Sequence, residues 1–171
     1  MPSIDDAILM ARYNHWQNES LVAAASALSP SERQMERGAF FGGIEKTFSH
    51  LLWGDRTWLS RFTGSPLPQG GIPQSTDLIT DWETFCDERA ALDQRILAWA
   101  RALTPEWMAG EMTWFSGALE REVSKPKQTL VLHFFNHQTH HRGQIHAMLT
   151  SAGARPGATD LPFMPETFGQ P

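Results

Sequence analysis

Apolar residues recur at helical spacing in four stretches of this chain, separated by clusters of proline, glycine and capping residues. In the first stretch Ile4, Ile8, Ala11 and Val22 share one arc, and Leu9, Tyr13, Trp16 and Ala27 share another. A helix apolar on two sides is expected to be largely buried. Ser3 caps it, with Asp6 in the capping-box position, and the pattern fades at Leu28. Ser29-Pro30-Ser31-Glu32 then supplies a cap, a proline at N1 and a glutamate at N3. This predicts a second helix running to about Thr63, with Gly42-Gly43 as a candidate break. Its apolar arc holds Phe41, Ile44, Phe48, Leu52 and Leu59.

Residues 64–76 carry three prolines and three glycines and read as a loop. Thr80-Asp81-Trp82-Glu83 is a capping box that opens a third helix, with a start nearer Asp77 as the alternative; its stripe is Trp82, Phe85, Leu92, Ile96, Trp99 and Leu103. Arg89 interrupts that stripe and is expected to lay its stem along apolar surface with the charge outside. The far face carries Glu83, Asp87, Gln94 and Arg101, and Thr104-Pro105 ends the helix. Residues 110–127 have no helical period. Met112 to Phe115 and Leu119 to Val123 could pair as a short hairpin around Ser116-Gly117. Pro126 opens a last long helix to about Ser151, which Gly153 and Pro156 stop. The fold class this predicts is all-α, an up-down-type four-helix bundle with a short β-hairpin before the last helix. Residues 1–171 form one domain in this reading. Residues 154–171 are an irregular tail whose Leu161, Phe163, Met164 and Phe168 are expected to pack on the body.

Composition narrows the function. The 171 residues are 41% hydrophobic and 19% charged, ordinary values for a globular chain. A net charge of -5 argues against a general nucleic-acid binder. Cys86 is the only cysteine, which excludes an intrachain disulfide and a multi-thiolate zinc site. It sits in a helical pattern with no motif around it and is given a structural role. The start, Met1-Pro2-Ser3-Ile4-Asp5-Asp6, is acidic and lacks the basic region of a signal peptide. No run of about 18 apolar residues is present to span a membrane. The expectation is a cytoplasmic protein with no membrane or nucleic-acid partner.

The chemistry concentrates in Leu132-His133-Phe134-Phe135-Asn136-His137-Gln138-Thr139-His140-His141-Arg142-Gly143-Gln144. At about 100° per residue, Leu130, Phe134, Ile145 and Met148 fall on a common arc. His137 and His141 lie inside it or at its margin, His133 lies just beyond it, and His140 and His146 fall well outside. Two imidazoles at i, i+4 can share one metal ion. They can also be core histidines satisfied by hydrogen bonds, and spacing alone leaves both readings open. A catalytic ion needs a third protein ligand and an open position. His50 and His15 are the candidates. His50 falls outside the second helix's apolar arc and shares a face with Gly43, Trp53, Gly54 and Thr57, small residues among them leaving room for a ligand. His15 has Glu19 four residues on and reads as ion-paired. Arg142 counts off the histidine face and reads as a solvent or interface salt bridge. Gln144 lies near that face, where it could hydrogen-bond a ligand imidazole or make a plain helix-face contact.

Three stretches resemble the DinB-like family of metal-binding four-helix bundles, which is unrelated to the DNA polymerase of the same name. They are Tyr13-Asn14-His15-Trp16-Gln17-Asn18-Glu19, Phe48-Ser49-His50-Leu51-Leu52-Trp53-Gly54-Asp55, and the histidine run itself from His133 to Gln144. The resemblance spans nearly the whole chain and is weakest in residues 64–125 and the tail. It implies a three-histidine site at His50, His137 and His141, a divalent metal (nickel or zinc), and a homodimer. It further implies a thiol-dependent transferase or isomerase acting with a low-molecular-weight thiol. The alternatives are a metal-dependent hydrolase and a non-enzymatic metal-binding or stress-response protein. Hydrolysis wants a general base near the water. Glu45 and Asp55 count to the far side of the helix from His50. Lys46 is nearly on His50's face, where it either attracts a substrate carboxylate or is a solvated charge.

Overall fold

The structure is a computed structural model and describes residues 2–170; Met1 and Pro171, the ends of the expected domain, lie outside the described residues. Helix α1 (Ile4–Ser26) starts from the expected capping box, with the Ser3 hydroxyl accepting from the Asp6 N–H and the Asp6 carboxylate accepting from Ser3. The second predicted helix divides. Helix α2 (Pro30–Gln34) keeps its Ser29/Glu32 capping box but ends after about one turn, and α3 (Ile44–Thr63) begins only after Gly43. The linking segment turns back on itself at Gly38 and Gly42, both at positive φ, the conformation glycine adopts without strain. Phe41 therefore lies in this segment and not in the helix.

The proline-rich stretch after α3 contains a 3₁₀ turn at Ile72–Asp77 packed against α3. Helix α4 (Trp82–Arg101) is capped by Asp81 accepting from the Thr84 N–H, one residue later than the expected Thr80 cap. Thr104 caps a further short helix, α5 (Pro105–Ala109), where the sequence suggested only a stop. Strands β1 (Glu111–Ser116) and β2 (Arg121–Pro126) pair antiparallel, with Trp114 opposite Val123; the expected hairpin is present, but its turn lies at residues 117–120 and its second strand begins two residues later than expected. Helix α6 (Lys127–Ser151) follows directly. The molecule is thus mostly helical with one small two-stranded sheet.

Helix α1 packs on α4 and α6, and α3 packs on α6 and α4, so the four long helices close a ring of pairwise contacts. Phe48, Leu52, Phe85, Ile96, Phe134 and Ile145 are buried at its centre. Phe62 stacks on Trp99 with centroids 4.9 Å apart, and Phe134 meets both rings edge-on. The tail carries a 3₁₀ turn at Leu161–Phe163 and is tied to α1 through its backbone. Arg12 Nε donates to the Phe168 carbonyl, Tyr13 Oη to that of Thr159 and Gln17 Nε2 to that of Ala158. No helix is long and apolar enough to cross a membrane among the described residues.

Two arginines depart from expectation. Arg89 is buried, guanidinium included, and donates to Asp55 Oδ2 at 2.7 Å and Asp93 Oδ1 at 2.8 Å. Arg142 is also buried and donates to Asn14 Oδ1. Helical counting places a residue on a face but does not reveal that Asp55 of α3 waits there, beside Asp93 four residues on in α4 itself. Around this pair, Asn14 and Asn18 donate to Asp93 and Gln138 donates to Asp55. The network joins α1, α3, α4 and α6. For the same reason α1 buries Asn14 and Asn18 in mid-helix, while Leu9 of its second apolar stripe is 36% exposed.

Candidate metal centre

His50 comes from the middle of α3, and His137 and His141 come from successive turns of α6, the helix packed against it. Nε2 of His137 lies 3.1 Å from Nε2 of His141 and 3.4 Å from Nε2 of His50. One nitrogen from each ring falls within 4.8 Å of the others, so the three could hold one metal ion. Two nitrogens each about 2.1 Å from a common ion, at tetrahedral or right-angled positions, stand roughly 3.0–3.4 Å apart. The observed separations fit that spacing.

The other ring nitrogens decide which atom faces inward. His50 Nδ1 is 2.8 Å from Ser75 Oγ, whose own proton goes to the Ile72 carbonyl at 2.6 Å. Nδ1 must therefore be the donor, which leaves Nε2 as a bare lone pair aimed at the centre. His141 Nδ1 is 2.8 Å from Gln144 Oε1, an acceptor, so its Nε2 is bare as well. His137 Nδ1 is buried without a partner, and its ring is placed by shape instead. A Cβ on Gly54 would come within 2.8 Å of His137 Cε1, so only glycine leaves the ring its position. A proton on His137 Nε2 can satisfy one neighbouring lone pair, whereas a cation satisfies all three.

Burial favours neutral rings, the form that binds metal. His50 is pushed down to about 4, by burial first and by His141 second. His137 is pushed down to about 3, by burial and then by the histidines facing it. Burial lowers His141 too. Phe41 stacks on the His50 ring at 4.0 Å and lies 5.5 Å from His141, closing one side. The other side opens into a cleft of about 1040 Å³ between α3, α6, the hairpin and the segment after α3. No Asp or Glu lines that cleft among the described residues.

Residues 1–170 match the DinB family. The chain belongs to the DinB family. Protein DinB of Bacillus subtilis (strain 168) is 26% identical over 164 residues, covering 91% of this chain and 91% of that protein. The crystal structure of a DinB-like protein from Bacillus cereus ATCC 10987 matches with a TM-score of 0.61 at 18% identity, over 84% of this chain and 90% of that one. The fold is therefore DinB-like.

In this member of the DinB family the helical count left His50 undecided, and the structure buries it beside the α6 pair. His133 lines the cleft and packs edge-on to Trp58 at 4.9 Å, outside the three-histidine group. His140 is exposed beside His141. His15 pairs with Glu19 at 3.1 Å, as its spacing suggests. Arg142 is no surface salt bridge but supports α6 from inside. Glu45 pairs with Arg33, Lys46 is exposed, and Asp55 is locked between Arg89 and Gln138. Cys86 is half-buried and free. Ser75 and Phe41 are not legible as site residues in the sequence. Ser75 lies in a loop with no pattern, and Phe41 had been assigned to a helix.

Proposed function

We propose that His50, His137 and His141 of this DinB-family protein hold one divalent metal ion, nickel or zinc, in an open site. We further propose that the protein is a metal-dependent enzyme of the thiol-dependent transferase or isomerase type. The observation that carries this is the convergence of three Nε2 atoms, two of them with their Nδ1 protons already committed to Ser75 and Gln144. A divalent ion bound there supplies Lewis acidity, favouring the anionic form of a thiol or of water. The chain's own contribution is to keep the imidazoles neutral and oriented, and to shield one side with Phe41. A structural zinc site is usually closed by a fourth protein ligand, and the group contains three residues only. Hydrolysis would want a base near the ion, and no Asp or Glu lines the cleft among the described residues, while Asp55 on the same helix as His50 is tied up in the core. Both points favour the transferase reading over the structural and hydrolytic ones.

The four long helices read as an up-down-type bundle, and the molecule as a cytoplasmic homodimer. Light scattering after gel filtration measures the dimer directly. Metal analysis of the purified protein and of a His137→Ala variant tests the site. Near-stoichiometric metal in the first and little in the second is expected, and equal content would overturn the assignment. Metal-loaded protein is then assayed with glutathione and related thiols against common electrophiles. Turnover that survives removal of the metal would rule out the mechanism. Full metal loading without turnover would point to the non-enzymatic reading.

A further inference from the structure

The cleft beside the three histidines has a second feature that the metal does not use. Its wall along α3 is built from His50, Gly54, Trp58 and Arg61, one face of the helix. Arg61 lays its guanidinium over the Trp58 ring at 4.7 Å and within 5.7 Å of the Trp114 ring, which reaches in from the hairpin. The two indoles meet edge-to-face at 5.5 Å. Arg33, Arg56 and Arg89 each have a carboxylate partner, whereas Arg61 has none among the described residues. It is partly desolvated, and burial lowers its pKa. Cation–π contact offsets only part of that cost, and the five N–H donors of Arg61 meet no protein acceptor among the described residues. The only other charged residue lining the cleft is Lys125, also a cation and also without an ion-pair partner among the described residues. The remaining wall is largely aromatic and aliphatic.

We infer that the cleft binds an elongated, apolar-bodied small molecule carrying an anionic group, a carboxylate or its equivalent, which Arg61 receives between Trp58 and Trp114 with Lys125 assisting. Trp58 lies two turns from His50, about 12 Å along the helix axis. The anionic end is thus far from the metal centre, and the ligand's opposite end is the one presented to the histidines. Arginine suits the role because its planar fork binds a carboxylate with two hydrogen bonds while its face rests on an indole. This assignment rests on the reading of the cleft as the substrate site of the proposed enzyme, but it makes no use of the metal.

The test accordingly uses metal-free protein. Phenylhexanoate and its neutral counterpart phenylhexanamide are titrated into it, with tryptophan emission as the signal. The carboxylate is expected to bind roughly tenfold or more tightly than the amide, with an advantage that shrinks as salt is added. Arg61→Gln should remove most of the carboxylate's advantage, leaving the small part due to Lys125, and leave amide binding as it was. Arg61→Lys should retain part of the preference. Both variants should load metal as the wild type does, which separates this test from that of the three histidines. Equal binding of the two probes by the wild type, or an undiminished preference in Arg61→Gln, would overturn the inference. So would loss of metal or of amide binding in Arg61→Gln, because Arg61 would then be holding the structure and not a ligand.

Discussion

A single missing methyl group places the central imidazole. Gly54 lies one turn after His50 on α3, and a Cβ there would sit 2.8 Å from His137 Cε1. Gly54→Ala should favour the helix by about 1 kcal/mol yet push His137 out of position. The expected outcome is a folded protein with unchanged or higher melting temperature and a metal affinity lower by roughly tenfold or more. Metal titration and a thermal melt on the same sample check it. The sequence showed Gly54 beside His50 as free space for a ligand, whereas the structure fills that space with His137.

The same residues set a pH dependence. A histidine in the unfolded chain titrates near 6.5, while His50 and His137 in the folded, metal-free chain are held down to about 4 and about 3. Below about pH 6.5 the unfolded chain takes up protons that the folded one refuses. Their contribution to stability is therefore intact above that pH, declines as the pH falls, and is fully lost only below the folded values. The urea midpoint of metal-free protein should drop between about pH 7.5 and about pH 5. The drop should be smaller in His137→Asn, which removes one of the titrating rings. An equal drop in both proteins would contradict this account.

Among the elements, the 3₁₀ turn at Ile72–Asp77 has the most influence for its size. Ser49 Oγ on α3 donates to the Ser75 carbonyl and accepts the Leu78 N–H, so the C-terminal half of the turn is pinned to α3. Ser75 Oγ then receives His50 Nδ1. Ser75→Ala leaves that N–H buried without a partner, a loss of about 1–3 kcal/mol in stability, and frees the ring to rotate. Metal affinity should fall by roughly 10–100-fold, with His50 still present. Denaturant unfolding and metal titration measure the two effects separately. Prolines and glycines marked this stretch as a loop, which was correct as far as local punctuation goes. That the loop carries the partner of a buried histidine has no local signature, because the bond is made across 25 positions of chain. The break between α2 and α3 has a similar origin. The glycines at 42 and 43 announced it, but the chain reversal that lays Phe41 on His50 depends on the packing of that segment against the centre.

Across the whole molecule, the four long helices share one buried polar network around Arg89. Burial raises the Asp55 and Asp93 carboxyls above the usual range, and the Arg89 guanidinium opposes that rise. Arg89 itself is raised by its two carboxylates, against the effect of burial. Arg89→Met would strand both acids in the core at a cost of about 3–5 kcal/mol, a large share of the 5–15 kcal/mol that usually holds a domain together. The deficit should shrink in acid, where the stranded carboxyls accept protons. Urea unfolding at two pH values reads both effects. Because Gln138 and Arg142 belong to the network and adjoin His137 and His141 on α6, the variant should also weaken the proposed metal binding.

The sequence by itself determined the long helical segments, the caps at Ser3 and Ser29, the presence of the hairpin and the α6 histidine pair. These follow from local rules of spacing and capping that act within a few residues. It also singled out His50, through likeness to a family and not through geometry. Only the tertiary structure decided that His50 faces inward, that Arg89 and Arg142 are core residues, and that Ser75, Gly54 and Phe41 shape the centre. The reason is that each of these depends on a partner from another segment. A helical period records which face a residue occupies, but the energetics of burying a charge or aiming an imidazole are set by what the neighbouring segments bring to that face.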